Sequence, residues 1–171
     1  MARILVVEDN ALNIKLFCDL LAAHGHDTQA VTDSREALGA ARAFHPDLVI
    51  TDIQLPHVSG MELMGLLRGD PELKDVPIMA VTAYSAQGDD ERIRAAGAQA
   101  YVSKPISVAR FAQTVDGLLA AARAEEHAAR EPQTETPETE TGASADAGTP
   151  VSESDGGPSI EGGVIREERL T

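Results

Sequence analysis

Two short aliphatic runs, each followed at once by acidic residues, constrain the fold of this 171-residue chain most strongly. Ile-Leu-Val-Val at 4–7 precedes Glu8 and Asp9, and Leu-Val-Ile-Thr at 48–51 precedes Asp52. Consecutive aliphatic residues without polar alternation are typical of strands that are buried on both faces. The two runs therefore predict a parallel sheet that is covered by helices on both sides.

Segments with helical periodicity separate these runs from weaker strand candidates. The predicted strands lie at 4–7, 28–32, 48–52, 76–82 and 100–102. The predicted helices cover 14–21, 33–44, 61–67, 91–96 and a last segment that begins at Ser107 and runs to Leu119 or somewhat past it. Strand and helix thus alternate five times, which predicts an α/β fold with a doubly wound parallel sheet.

The acidic charge of the chain is unevenly distributed. Of the formal net charge of −14, residues 1–122 carry −6 and residues 123–171 carry −8. The second segment is rich in Glu, Thr, Ser, Pro and Gly and has too little apolar surface to offset the cost of ordering its backbone. We therefore expect a folded domain over 1–122 and a disordered acidic tail over 123–171. The aliphatic residues within 160–170 are either unstructured or a short docking peptide.

Several classes of protein are disfavoured by composition. No run of 18 apolar residues is present to span a membrane, and the acids at positions 8 and 9 interrupt any signal peptide. Cys18 is a lone cysteine, which excludes an internal disulfide, and the negative charge disfavours nucleic acid as a partner. We expect a cytoplasmic protein without membrane insertion. Five scattered histidines are predicted to be surface or loop residues, at positions 24, 26, 45, 57 and 127.

Polar groups that follow the predicted strands indicate where a functional site lies. Sites in parallel α/β sheets form at the carboxyl ends of strands, and there the chain places acids, a hydroxyl and an ammonium. Clustered carboxylates call for a cation, and their oxygens suit Mg²⁺. Each group alone fits an ordinary strand end or helix cap, and only their joint placement favours a site. The residues concerned are Glu8, Asp9, Asp52, Thr82 and Lys104.

This set of side chains is suited to phosphoryl transfer. Asp52 is a candidate nucleophile that would form an acyl phosphate. The Lys104 ammonium and the Thr82 hydroxyl can each bind a phosphoryl oxygen. Positioning and charge neutralisation are most of what such a transfer requires.

Four separate segments resemble the receiver domain of bacterial response regulators over about residues 1–121. They are VVEDN at 6–10, DIQLP at 52–56 followed by SG, VTA at 81–83 and YVSKPIS at 101–107. The sequences of residues 10–26 and 91–107 are similar to those of the DivK-type single-domain regulators of bacterial cell division and polarity. The resemblance implies a flavodoxin-like (βα)5 fold with strand order 2-1-3-4-5.

The same resemblance implies a role for each matching residue. Asp52 is expected to accept the phosphoryl group, with Thr82 and Lys104 binding its oxygens. Thr82 and Tyr101 are expected to form the switch, in which the aromatic ring turns inward as the threonine moves. Gln54 and Tyr84 flank the pocket and are expected to tune the lifetime of the phosphoaspartate. The implied Mg²⁺ ligands are Glu8, Asp9, Asp52 and the backbone carbonyl of Gln54.

These roles imply a single-domain response regulator of a two-component system or phosphorelay, with a role in cell-cycle or polarity control. Its expected partners are sensor histidine kinases, phosphatases or a histidine phosphotransfer protein, and it is expected to be a monomer or weak dimer. Two alternatives stay open. One is a phosphohydrolase with Asp52 as nucleophile, although the second acid that such enzymes carry two residues later is here Gln54. The other is a scaffold that acts through the acidic tail.

Overall fold

The computed structural model describes residues 1–83 and 87–130, in which strands and helices alternate. The strands are β1 (Arg3–Val7), β2 (Asp27–Val31), β3 (Leu48–Asp52), β4 (Ile78–Thr82) and β5 (Ala100–Ser103). The helices are α1 (Ala11–Ala23), α2 (Ala37–Phe44), α3 (Gly60–Gly69), α4 (Asp89–Ala96) and α5 (Val108–Arg130), and a 3₁₀ turn (Ser34–Glu36) precedes α2. The predicted α/β alternation is confirmed, with differences at the ends of elements.

All strand pairs in the sheet are parallel, and the strand order is β2-β1-β3-β4-β5. This is the order implied by the family resemblance. The strands pair closely in register, so that Asp52 lies opposite Val81 and Thr82 opposite Ser103. The residues that follow the strands therefore meet at one edge, called here the carboxyl edge. The opposite edge, where the strands begin, is called the amino edge.

Helices cover the sheet on both faces and bury its aliphatic side chains. Helices α2, α3 and α4 pack on one face, and α1 and α5 pack on the other. Between α1 and α5 the rings of Phe17 and Phe111 stack with their centroids 5.2 Å apart. Strands β3 and β4 are buried along their whole length, whereas the edge strand β2 is mostly exposed. Its exposure explains why the apolar pattern of β2 was the weakest.

Helix α5 is longer than the sequence analysis expected. The tail was predicted to begin at residue 123, but the structure has residues 123–130 in α5. The cause is local, because residues 120–130 are almost all Ala, Arg and Glu, which favour helix, and the next proline is Pro132. The predicted disorder of the remaining tail and the docking peptide at 160–170 lie outside the described residues. Among the helices of the described ranges, none has the length and apolar character needed to cross a bilayer.

Short polar motifs determine where the helices begin near the carboxyl edge. The Asn10 side chain accepts hydrogen bonds from two backbone N–H groups in the first turn of α1 and so caps it. Ser59 and Glu62 form a reciprocal capping box that starts α3. The predicted helix start at Asp33 is instead the 3₁₀ turn, and α2 begins at Ala37. The caps of α1 and α3 set the direction in which the chain leaves β1 and β3.

Candidate functional site

Three carboxylates meet at the carboxyl edge of the sheet. Oxygen atoms of Glu8, Asp9 and Asp52 lie within 4.8 Å of one another. Glu8 and Asp52 are 1% and 5% exposed, whereas Asp9 is exposed. The convergence follows from the pairing of β1 with β3, since these acids continue two adjacent parallel strands. The structure thus brings together the three acids that the sequence analysis selected.

Glu8 is held in place by polar groups of the β1–α1 connection. Its Oε1 accepts a hydrogen bond from the backbone N–H of Asn10 at 3.0 Å, and its Oε2 accepts one from the Asn13 side chain at 3.3 Å. Burial raises the pKa of Glu8, the Asn10 hydrogen bond lowers it in part, and the charge of Asp52 raises it further. Burial is thus the main reason that the charged form of Glu8 is disfavoured.

Lys104 supplies the ammonium at the centre of the cluster. Its Nζ donates to Asp52 Oδ2 and, at 3.4 Å, to Glu8 Oε2. Burial alone would lower the pKa of Lys104, but the hydrogen bond to Asp52 and the charges of both carboxylates raise it overall. The backbone N–H of Lys104 donates to the Thr82 carbonyl at 2.7 Å, and the Lys104–Pro105 peptide bond is cis. The lysine is therefore charged at neutral pH and anchored to the end of β4.

The backbone after Asp52 also approaches the cluster closely. The N–H of Gln54 donates to Asp52 Oδ1 at 2.9 Å, which brings this peptide unit beside the carboxylate. Gly60, the first residue of α3, packs directly on the chain at Asp52. A Cβ at position 60 would lie 2.8 Å from Ile53 Cα and would overlap the Asp52 carbonyl oxygen. Only glycine allows α3 to begin so close to the candidate phosphoacceptor.

Thr82 lies at the end of β4, next to β3, and Tyr101 lies on β5, the next strand along the sheet. Thr82 ends β4 and is buried, next to a cavity of about 190 Å³ that Met61 of α3 and Ile93 of α4 also line. Tyr101 is half-buried and packs against the layer of α2, α3 and α4. A hydrogen bond to the Asp90 carboxylate raises the pKa of the Tyr101 phenol. Thr82 therefore adjoins the site, Tyr101 lies one strand farther away, and Tyr84 lies outside the described residues.

The donor set of the cluster fits a hard divalent cation. Three carboxylates face one ammonium, so the group carries excess negative charge, and its donors are all oxygen atoms. Magnesium is bound in proteins through one or two carboxylates and keeps several water molecules. The exposure of Asp9 leaves the cluster open to solvent, which such an ion requires.

Sequence reasoning missed two groups that support the acids. Asn10 caps α1, so that Asp9 does not serve as the helix cap, and Asn13 binds Glu8. An Asn directly before a helical pattern is a common N-cap, so Asn10 could have been found. The role of Asn13 could not, because it depends on the position of the Glu8 carboxylate in three dimensions.

The sequence profile of the response regulator receiver domain matches residues 4–116, and the chain belongs to this family. It is 52% identical over 116 residues to the polar-differentiation response regulator DivK of Brucella ovis and to that of Brucella abortus strain 2308. The match spans 68% of this chain and 94% of either relative. The chain is therefore a response-regulator receiver protein, a class of signalling proteins, and it is DivK-like over the matched residues.

Solved structures show the same fold. One is the receiver domain of a histidine kinase from Syntrophus aciditrophicus, with a TM-score of 0.67, 28% identity, and coverage of 80% of this chain and 99% of that one. Another is the receiver domain of sensor histidine kinase PA1611 from Pseudomonas aeruginosa, which was crystallised with a magnesium ion coordinated in its active-site cleft. It gives a TM-score of 0.65 at 29% identity and covers 70% of this chain and 98% of its own.

Proposed function

We propose that this protein accepts a phosphoryl group on Asp52 from a phosphohistidine and passes the signal on through protein contacts. The donor would be a sensor histidine kinase or a histidine phosphotransfer protein. The observation that carries the proposal is the environment of Asp52. Its carboxylate ends a fully buried strand, accepts hydrogen bonds from Lys104 and Gln54, and lies among two further acids.

The proposed transfer uses groups that are already in place. A carboxylate oxygen of Asp52 forms the new bond to phosphorus while the phosphorus–nitrogen bond of the donor breaks. The electron pair of that bond stays with the donor imidazole, which takes up a proton. Lys104 and the Thr82 hydroxyl bind phosphoryl oxygens and so stabilise the charge of the transition state. Later attack by water releases inorganic phosphate and restores the Asp52 carboxylate.

The proposed metal ligands are Asp9, Asp52 and the Gln54 carbonyl, with Glu8 completing the acidic set. A Mg²⁺ ion bound there would neutralise charge on the acids and on the transferred phosphoryl group. The magnesium ion in the cleft of the PA1611 receiver domain supports this assignment. The chemistry of the donor set in this chain supports it independently.

Phosphorylation is proposed to switch the face that α4, β5 and α5 form. Thr82, which lines a cavity between α3 and α4, would move toward the phosphoryl group, and Tyr101 would repack inward. That movement would take the Tyr101 phenol away from the Asp90 carboxylate of α4. Two arrangements of one side chain, biased by one covalent change, are the elements that a molecular switch requires.

Exposed apolar side chains near the carboxyl edge are proposed to contact the phosphodonor protein. Leu12 is 80% and Leu16 is 39% exposed on α1, and Val108 is 49% exposed at the start of α5. Helices α1 and α5 begin immediately after the acidic pair and shortly after Lys104. A partner that covers them would bring its histidine to Asp52. We place the protein in the cytoplasm, as a monomer or weak dimer, with a role in polarity or cell-cycle control as the DivK relatives suggest.

Phosphorylation of Asp52 is tested with phosphoramidate, a small donor that has the phosphorus–nitrogen bond of phosphohistidine. We expect the wild-type protein to gain one phosphoryl group in the presence of Mg²⁺ and Asp52→Asn to gain none, as measured by intact mass. Asp27→Asn makes the same change at the exposed start of β2 and should leave phosphorylation unchanged. Full phosphorylation of Asp52→Asn would exclude Asp52 as the acceptor.

The phosphorylated protein also serves to distinguish the proposed function from that of a phosphohydrolase. Gln54 stands where such an enzyme would carry its general acid, and its side chain cannot supply a proton in that role. We therefore expect a single phosphorylation with slow loss, and no steady release of phosphate from small phosphate esters. The scaffold alternative is tested by partner binding with and without residues 131–171, since α5 ends at Arg130.

A further inference from the structure

The connection between Asp52 and α3, residues 53–59, has a conformation that its own sequence does not explain. His57 within it has a φ of 70°, in the left-handed region that is unfavourable for residues with a Cβ. Such a conformation persists where surrounding contacts determine it. The first part of the connection carries Gln54, whose N–H binds the Asp52 carboxylate.

Ser34 supplies the contacts that determine this conformation. It lies in the 3₁₀ turn after β2 and is only 3% exposed. Its hydroxyl donates to the carbonyl of Pro56 at 2.8 Å and accepts from the N–H of Val58 at 3.1 Å. One side chain therefore binds the residues on both sides of His57, and it does so from a different part of the chain.

The two ends of the connection are fixed separately. At its start, the Gln54 N–H donates to Asp52 Oδ1, and at its end the Gly60 N–H donates to the Ile53 carbonyl at 2.9 Å. Helix α3 has its own capping box and does not need Ser34 to begin. Ser34 thus acts on the middle of the connection, between the Gln54 carbonyl and the start of α3.

We propose that Ser34 is a positioning residue for the metal site, holding the connection so that the Gln54 carbonyl, which lies in the peptide unit after the Gln54 N–H, faces the carboxylates. The proposal rests on the proposed function, because it assumes that the Gln54 carbonyl is a Mg²⁺ ligand. Groups that orient metal ligands contribute about tenfold or more to metal affinity. Loss of the Ser34 hydroxyl should therefore weaken Mg²⁺ binding more than it slows the chemistry.

The test compares Ser34→Ala with Ser59→Ala in the full-length protein. Both variants lose one serine hydroxyl that bonds the β3–α3 connection or the helix it leads into, but only Ser34 ties that connection to another element. Mg²⁺ alone is titrated into the metal-free proteins, and its Kd is read from amide NMR shifts. Exchange of the Val58 N–H and the phosphorylation rate at saturating Mg²⁺ are measured in parallel. Ser34→Gly, which places no methyl beside Pro56, is measured as a second variant in case Ser34→Ala folds poorly.

We expect about tenfold weaker Mg²⁺ binding without the Ser34 hydroxyl, faster exchange at Val58, and a phosphorylation rate at saturating Mg²⁺ close to that of the wild-type protein. Ser59→Ala should bind Mg²⁺ as the wild-type protein does. An unchanged Kd in the Ser34 variants, or an equal loss in Ser59→Ala, would overturn this proposal alone. Absence of Mg²⁺ binding in the wild-type protein would overturn the proposed function as well.

Discussion

The two edges of the sheet use the same kinds of side chain in different ways. At the amino edge, the Asp47 carboxylate accepts from the Arg3 N–H at 2.8 Å, and the Gln99 side chain accepts from the Ile78 N–H at 2.7 Å. At the carboxyl edge, three carboxylates share one ammonium. Polar side chains at the amino edge thus accept hydrogen bonds from backbone N–H groups. Those at the carboxyl edge carry excess negative charge that a ligand could bind. Position along the strands, more than residue type, separates the structural acids from those of the candidate site.

Gly60 gives the strongest way to disturb the carboxyl edge. Gly60→Ala should lower the free energy of unfolding by about 3 kcal/mol, because the added Cβ overlaps the backbone at Asp52 and either α3 or β3 must move. It should also slow phosphorylation of Asp52. Gly65→Ala is the matched control in the same helix, where a Cβ meets no other atom within 4 Å, and it should stabilise by about 0.5 kcal/mol. Urea unfolding and the phosphoramidate assay provide both measurements. Normal phosphorylation of Gly60→Ala would show that the close packing of α3 on Asp52 is not needed for the reaction.

Arg68 provides the corresponding test near the amino edge. Its guanidinium donates to the carbonyls of Gly97, Lys74 and Val76 and to the Gln99 side chain, and so joins α3 to the segments before β4 and β5. Arg68→Ala should cost about 2 kcal/mol of stability, since several partly buried carbonyls lose their donor. Phosphorylation of the folded protein should not change. A loss of phosphorylation at temperatures where the variant is folded would contradict the idea that polar groups at the amino edge act only on stability.

Neutralising one acid at each edge should change the free energy of unfolding by a smaller amount, and with opposite signs at the two edges. Glu8→Gln should stabilise the Mg²⁺-free protein by about 1 kcal/mol, because burial of the charged carboxylate is unfavourable. Asp47→Asn should destabilise it by about 0.5 kcal/mol, through a weaker hydrogen bond to Arg3. Chemical denaturation at neutral pH with a chelator present measures both. Stabilisation by both variants would mean that net charge, and not position, governs the result.

His26 adds a weaker, pH-dependent contribution at the amino edge. Its Nδ1 accepts from the Ala2 N–H at 3.4 Å, and burial lowers the pKa of the imidazole below its ordinary 6.5. The imidazole therefore binds a proton more readily in the unfolded chain than in the folded protein. As a result, the free energy of unfolding is highest above pH 6.5 and declines as the pH falls through that value. Asp116, 4.0 Å from Nε2, opposes the shift, whereas His24, Arg123 and the amino terminus reinforce it. His26→Gln should remove this slope from unfolding curves between pH 7.5 and about 5.5. An unchanged slope would assign it to other groups.

The carboxyl edge was more predictable from sequence than the amino edge. Strands that are buried on both faces can be recognised in the sequence as aliphatic runs. The residue after each run must lie at the same edge of a parallel sheet. Glu8, Asp9 and Asp52 could therefore be placed together from the sequence alone. The strand order came from the family resemblance, because alternation alone does not determine it.

Contacts that depend on the path of two distant segments could not be predicted. Ser34 reads as an ordinary polar residue in a turn, and its hydroxyl acquires a role only because residues 56–58 pass beside it. Arg68 likewise reads as an exposed helical residue. The end of α5 was missed for another reason, since the average composition of residues 123–171 concealed a run of eight residues, seven of which have high helix propensity.

The length of α5 has a practical consequence for experiments on this protein. Twenty-three residues give a helix of about 34 Å, roughly twice the reach of the five-residue strands beside it. It begins near Lys104, and its last turns lie beside Asp47 and Pro77 at the far edge. A fluorophore or affinity handle attached at Arg130 would therefore sit on the side of the receiver domain opposite the acidic cluster. Immobilising the protein through that point leaves the docking side chains and Asp52 open to solution.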